Sequence, residues 1–355
     1  MTGAIPKAEL HCHLEGTAPP TLVRRLADRN GIALPEGLFA DEHNFAWTDF
    51  PDFLRAYDAA SMCLRKAEDY RDITYEYLAA CAREGAIYVE MFTSPDHAAE
   101  VGMTYLDHLE GTVAGIDDAA RDFGIVGRII VTCVRHLGPD RGLVVARDMI
   151  AEPHPYVVGF GMGGNETAFH LNDFLPVFRL AAEAGLGCTV HAGEVCGPES
   201  IYDALDALPV TRLGHGVRAI EDPRLVERIA RDGIVLELCP HSNVATGVYP
   251  DMASHPFPAL LAAGCRVTLN SDDPPYFATS IGREYATAAE DFGMNDKALR
   301  TVTRTALEAA FADEETRIRL LARLDGGIRQ NPRRPHWERR RLFQREKTQH
   351  RKGMA

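Results

Sequence analysis

The chain has 355 residues, 46% of them hydrophobic and 25% charged, with a net charge of −13, the composition of an ordinary soluble globular protein. No stretch approaches the roughly 20 apolar residues that a membrane span needs, and an acidic body is unsuited to holding nucleic-acid phosphates. The acidity is uneven: from Arg329 onward ten Lys/Arg face two Glu, a local +8 that leaves −21 on the remainder.

The start, MTGAIPKAELHCH, lacks the basic segment and apolar run of a signal peptide. Eight scattered cysteines with no C-x-x-C argue against a thiolate zinc site or a disulfide framework and for a reducing cytoplasm. A core of about 250 residues is usual for one α/β barrel, and the length leaves room for insertions.

Short apolar runs alternate with amphipathic stretches. Strands are expected at Ala8–Leu14, Ala86–Phe92, Arg128–Val134, Tyr156–Gly161, Gly187–His191, Thr211–His215, Ile234–Cys239 and Arg266–Asn270. Runs such as IIVTCV and IVLELC are apolar almost throughout, as strands covered on both faces should be. Helical patterns fall at Leu106–Phe123, Asn172–Ala184, Asp222–Arg231 and Pro256–Ala263, with more helix across 280–328. Eight strands with intervening helices predict a closed (β/α)8 TIM barrel spanning 1–330 as one domain, followed by a basic, frayed tail at 331–355. Residues 15–85, with helical segments Thr21–Asn30, Pro51–Arg65 and Tyr70–Arg83, exceed one crossover helix. They follow the first strand and so predict a helical lid over the C-terminal mouth. Phe50, Phe53, Leu54, Tyr57 and Met62 are its candidate pocket walls.

Polar groups collect at the ends of these runs. His11-Cys12-His13 ends the first strand, and residues two apart on a strand share a face, so both rings can reach one ion. His191-Ala192-Gly193-Glu194 follows the fifth. His215 ends the sixth between Gly214 and Gly216. Asp272-Asp273-Pro274 follows the eighth. Three imidazoles and a carboxylate (His11, His13, His191, Asp272), with a position left for water, describe a catalytic rather than a structural zinc site. His215 beside such an ion can orient or deprotonate the water. His13-Leu14-Glu15 also satisfies the H-x-E half of the cytidine-deaminase signature, but P-C-x-x-C is missing and Cys239-Pro240 reverses its order, which excludes that class.

Together PKAELHCHLEG, GFGMGGNE, TVHAGE, RLGHG, ELCPHSN and TLNSDDP, in order from about residue 6 to 330, resemble the adenosine deaminase family of the amidohydrolase superfamily. The resemblance implies a metal-dependent hydrolase of the barrel type with one zinc per chain, acting on a small purine and releasing ammonia. It places His11, His13, His191 and Asp272 on the metal. It makes Glu194 the acid that protonates purine N1 and has His215 orient the attacking hydroxide. Asp273 would accept a hydrogen bond associated with N7, the Gly164 N–H would donate to N3, and Glu15 and His13 would lie against the substrate. The pair Gly163-Gly164 and Gly214 look like the adenosine branch, which predicts conversion of adenosine to inosine and of 2′-deoxyadenosine to its deaminated counterpart, 2′-deoxyinosine. Glu15, where adenosine enzymes usually carry a ribose-binding Asp, points instead to free adenine or a modified 6-aminopurine nucleoside. Two rivals are weaker. A cyclic-amide hydrolase of the binuclear type usually needs a lysine ending the fourth strand, where GFGMGGN has none. A catalytically silent purine-binding protein would be expected to have lost a ligand or the acid. The oligomeric state is left open.

Overall fold

The computed structural model describes residues 5–326; the expected basic tail lies outside the described residues. Eight parallel strands form one sheet in the order β1 to β8: β1 (Lys7–Glu9), β2 (Ala86–Thr93), β3 (Val126–Val134), β4 (Val157–Gly163), β5 (Gly187–Ala192), β6 (Arg212–His215), β7 (Val235–Leu238) and β8 (Arg266–Leu269). All eight expected runs are strands. β2 is buried at every position, as a strand covered by side chains within and helices outside must be.

The helices are α1 (Pro20–Asn30), α2 (Phe50–Ser61), α3 (Ala67–Arg83), α4 (Pro95–Glu100), α5 (Tyr105–Phe123), α6 (Pro139–Ala151), α7 (Leu175–Glu183), α8 (Pro198–Ala207), α9 (Pro223–Asp232), α10 (Pro240–Ala245), α11 (Phe257–Ala262), α12 (Ile281–Glu290), α13 (Asp296–Ala309) and α14 (Glu314–Leu324). Local chemistry sets their ends. At the start of α5, Thr104 Oγ1 accepts the Asp107 N–H and Asp107 Oδ2 accepts the Thr104 N–H, a reciprocal cap that satisfies two otherwise orphaned donors. Among the described residues no helix is long and apolar enough to cross a membrane.

The first strand departs from its expected length. Its ladder stops at Glu9, and only single bridges at Cys12 and His13 continue it. Beyond Glu9 the backbone bonds to both sides: Cys12 O and the Leu14 N–H pair with Phe92 of β2, and the other side meets the end of β8. Asn270 Oδ1 accepts the Leu10 N–H at 2.9 Å, the Asp272 N–H donates to His11 O at 3.2 Å, and the His13 N–H donates to Asp272 O at 3.0 Å. These bonds join the β8 end to the β1 end and bring both sets of predicted ligands to one seam. α13 packs on β8 and β1 from outside.

Of the three helices expected between β1 and β2, α3 packs on α5 and β2 as part of the outer ring. α2 reaches the mouth, where Phe50, Phe53, Leu54 and Tyr57 line a cavity. Met62, which follows α2, is not among the lining residues, so that expected wall contact is corrected: Met62 lies where the helix has ended and the chain turns away.

Candidate active site

The strand ends deliver the side chains. One ligand atom from each of His11, His13, His191 and Asp272 lies within 4.8 Å of the others. Asp272 Oδ1 is 3.6 Å from His11 Nε2 and 3.4 Å from His13 Nε2. The outward nitrogens are engaged: His11 Nδ1 is 2.8 Å from Glu237 Oε2, and His191 Nδ1 is 2.9 Å from Met162 O. Such partners fix the tautomer and aim Nε2 inward. His11 Nε2 is buried with no hydrogen-bond partner, an arrangement that water or protein would ordinarily satisfy. Three inward imidazole nitrogens and one carboxylate fit a zinc-like divalent cation.

The electrostatics favour positive charge at this spot. Burial works against a charged His11, yet Asp272 and Glu237 outweigh it and push its pKa up to about 9. His13 is pushed down to about 4, chiefly by burial, despite Asp272. Asp272 is buried too, but the His11 imidazole beside it and the nearby His215 and His13 hold it well below the carboxylate range. The field that draws a proton to His11 draws a cation to the same lone pair.

Two residues here carry unusual backbone. His215 has φ 57° and Asp272 has φ 62°, a region that non-glycine residues enter at a cost. Asp272 is held there by its two backbone bonds to His11 and His13 and by Glu9, whose Oε1 accepts both the N–H (2.7 Å) and the hydroxyl (2.6 Å) of Ser271.

Glu194 and Asp273 complete the cluster. Glu194 is 6% exposed and lies 3.6 Å from His215 Nε2. Burial first, then the charges of Asp272 and Glu166, raise its pKa well above the usual carboxylate range. Asp273 is raised likewise by burial and by Asp272 and Glu194, and its buried Oδ1 has no hydrogen-bond partner. That oxygen occupies the space a side chain at Gly16 would fill, since a Cβ there would sit 1.7 Å from it. His215 Nε2 is 3.7 Å from Asp272 Oδ2.

Glu166, which the sequence reading quoted only as the end of GFGMGGNE, anchors the loop that carries Glu194. Its carboxylate accepts the N–H groups of Gly193 (2.5 Å), Glu194 (3.2 Å), Val195 (2.7 Å) and Cys196 (2.8 Å) and the Ser200 hydroxyl (2.6 Å). Glu166→Ala leaves the buried donors among these, at Gly193, Glu194 and Ser200, unpaired, each worth about 1–3 kcal/mol. The expected result is a loss of stability of at least about 3 kcal/mol by urea unfolding, with activity falling even at temperatures where the variant stays folded. A variant as stable as wild type would show the loop to be held by other contacts. Glu237, in the run IVLELC, was missed as well. An acid inside an otherwise apolar strand was the available signal. It pairs with buried Arg212 (2.7 Å), which also pairs with Glu90 (2.7 Å).

Phe50, Phe53, Leu54, Tyr57, Phe92 and Phe277 wall the cavity above these groups. His13, Glu15, Gly164, Glu194, His215 and Asp273 all line it, so the structure brings every predicted site residue to one place, with His11 buried beneath. Glu15 is 2% exposed and its Oε1 accepts the Ser94 N–H at 2.9 Å. Burial raises its pKa, against the opposing influence of His97 and the Ser94 N–H. Five carboxyl side chains line the cavity (Glu15, Asp58, Glu194, Asp272, Asp273), and no Lys or Arg does among the described residues.

Comparison with known proteins bears on these features. The model of the adenosine deaminase family matches residues 6–326. An adenine deaminase from Agrobacterium fabrum is 50% identical over 324 residues, covering 91% of this chain and 99% of that one. Among solved structures, an adenine deaminase from Arthrobacter aurescens superposes with a TM-score of 0.85 at 31% identity, covering 91% of this chain and 99% of that one. An amidohydrolase from Burkholderia ambifaria, solved with bound zinc, gives a TM-score of 0.83 at 28% identity, covering 91% of this chain and 90% of that one.

Proposed function

The chain belongs to the adenosine deaminase family of hydrolases acting on C–N bonds, and from that premise we propose that it hydrolyses the 6-amino group of free adenine, giving hypoxanthine and ammonia. The relatives do not support the adenosine expectation; they favour its alternative. The glycines that suggested adenosine answer to a different constraint. A Cβ at Gly214 would lie 2.8 Å from His11 Cε1 and 3.0 Å from His191 Nδ1, and one at Gly163 would lie 3.2 Å from His191 Cε1. Gly163 and Gly214 thus also make room for the imidazole cluster, so their presence does not by itself call for a sugar, and Gly164, with φ 96°, lies against His136 instead.

The observation that carries the adenine reading is Glu15. It stands where adenosine enzymes usually place a ribose-binding Asp, yet it is buried and committed to the Ser94 N–H. A carboxyl in that position suits an N–H of a bare base better than a sugar hydroxyl at a solvated rim. The absence of Lys and Arg from the described lining, beside five carboxyls, disfavours phosphorylated substrates.

In this reading His11, His13, His191 and Asp272 hold one zinc per chain, which when bound supplies a nucleophile from water near neutral pH. Glu194 keeps its proton in the buried cluster and donates it to N1 of the ring, making C6 electrophilic. His215, at 3.6 Å from Glu194 and 3.7 Å from Asp272, orients the attacking oxygen. Asp273, kept protonated by burial and by the neighbouring Asp272 and Glu194, donates to the N7 lone pair, which corrects the accepting role expected from the sequence, while the Gly164 N–H meets N3. The aromatic walls of α2 exclude water from the ring. Eight free cysteines, seven of them buried, suit a reducing cytoplasm.

Initial rates of ammonia release from adenine, adenosine, 2′-deoxyadenosine and AMP, with the zinc-loaded full chain, test the reading. Adenine is expected to exceed adenosine in kcat/KM by about 10²-fold or more, with AMP inert. Faster turnover of adenosine would return the substrate to the nucleoside.

A further inference from the structure

Behind His215 lies a chain of polar groups that the mechanism above does not use. Asn243, at the end of the ELCPHSN segment and within α10, is 0% exposed, and its Nδ2 lies 3.2 Å from His215 Nδ1. Its Oδ1 lies 3.2 Å from Nε2 of His255, which is 3% exposed. His255 Nδ1 in turn lies 3.2 Å from the Phe257 backbone nitrogen at the start of α11.

The direction of this chain follows from its last member. A backbone N–H only donates, so His255 Nδ1 must accept. Burial keeps the His255 ring neutral, pushing its pKa down to about 3, with the charge of His241 a smaller cause. A neutral ring that accepts at Nδ1 carries its hydrogen on Nε2. Nε2–H therefore donates to Asn243 Oδ1, the amide is oriented, and Asn243 Nδ2–H donates to His215 Nδ1. The hydrogen of a neutral His215 then resides on Nε2, the nitrogen that faces Glu194 and Asp272. No alternative orientation satisfies all three contacts with neutral rings.

We propose that Asn243 and His255 are positioning residues for the deaminase reaction: anchored on the Phe257 N–H, they determine which ring nitrogen His215 presents to the reaction site. The proposal rests on His215 acting at the site described above. It does not depend on which purine is turned over, because the tautomer is read directly.

The test uses the zinc-loaded full chain with ¹⁵N-labelled histidine and long-range ¹H–¹⁵N correlation, with His215 assigned by difference against His215→Asn. The wild type is expected to show a pyridine-like Nδ1 and a pyrrole-like Nε2 at His215. In Asn243→Asp a carboxylate, which only accepts, replaces the amide donor. The His215 pattern is expected to invert, with kcat falling about 10–100-fold, the usual cost of removing an outer partner, while KM for adenine and zinc content hold. His255→Gln keeps an amide donor toward Asn243 and is expected to retain the wild-type His215 pattern. A protonated Nδ1 at His215 in the wild type overturns the proposal by itself, even if Asn243→Asp does not fold. So does an Asn243→Asp variant whose His215 pattern and kcat match the wild type.

Discussion

Glu194→Gln is expected to lower kcat by about 10²–10⁴-fold, the range that a positioned general acid contributes, while zinc content stays at the wild-type level. Gln matches Glu in length and can still accept a hydrogen bond, but it has no acidic proton to give to the purine ring. Its position three residues after His191, outside the ligand set, is why the metal should remain. The environment argues the same way. Burial and the charges of Asp272 and Glu166 hold the Glu194 carboxyl in its neutral form at pH values where an exposed carboxyl is ionised. The sign of the pH effect follows: wild-type activity falls as pH rises through this elevated pKa, because the acid is then spent. In Glu194→Gln that alkaline limb should vanish, leaving a low, flat rate. The check is kcat across pH together with metal analysis of the same samples. A metal-loaded variant turning over at near wild-type rates would remove Glu194 from the role of acid.

Asp272→Asn is expected to abolish turnover by a different route, through loss of the ion. Asn keeps the size of the side chain and tolerates the positive φ of this position, so the substitution isolates the charge. The imidazoles of His11 and His13, at 3.6 and 3.4 Å, would then offer nitrogen alone, and the field at the centre would lose its nearest anion. Dialysis against a chelator weak enough to leave the wild type loaded should strip the variant. Thermal unfolding gives a reading independent of activity. Ligand binding to the folded state alone adds about 4.1 kcal/mol at a free concentration 1,000 times Kd. Added zinc should therefore raise the wild-type Tm clearly and leave Asp272→Asn unmoved. Equal zinc shifts in both proteins would take Asp272 out of the ligand set.

Much of this site could be read from the chain because its parts obey local rules. An apolar run ending in H-x-H, another ending in H-A-G-E and a third followed by S-D-D-P each place polar groups beyond a buried strand. In a parallel barrel every such end opens on the same face. The alternation of strands and helices made the barrel legible, and the two-residue spacing put His11 and His13 on one side. The helices around residues 15–85 were also visible, although α3 turned out to pack in the outer ring, because periodicity reports an apolar face and is blind to what covers it.

What remained hidden depends on residues distant in sequence. Glu166 holds backbone 27–30 positions away, and Glu237 reaches His11 across 226 positions. His255 carries no motif; its place in the chain behind His215 exists only once folding brings Asn243 of α10 against both rings and α11 onto β8. The glycines show the difference most plainly. Gly163 and Gly214 read in sequence as marks of a nucleoside enzyme, whereas in space they are the clearance that three imidazole rings require. A sequence states which groups are present and in what order along each strand. Only tertiary packing decides which hydrogen bonds aim them, because closing loops of tens to hundreds of residues is a property of the whole fold.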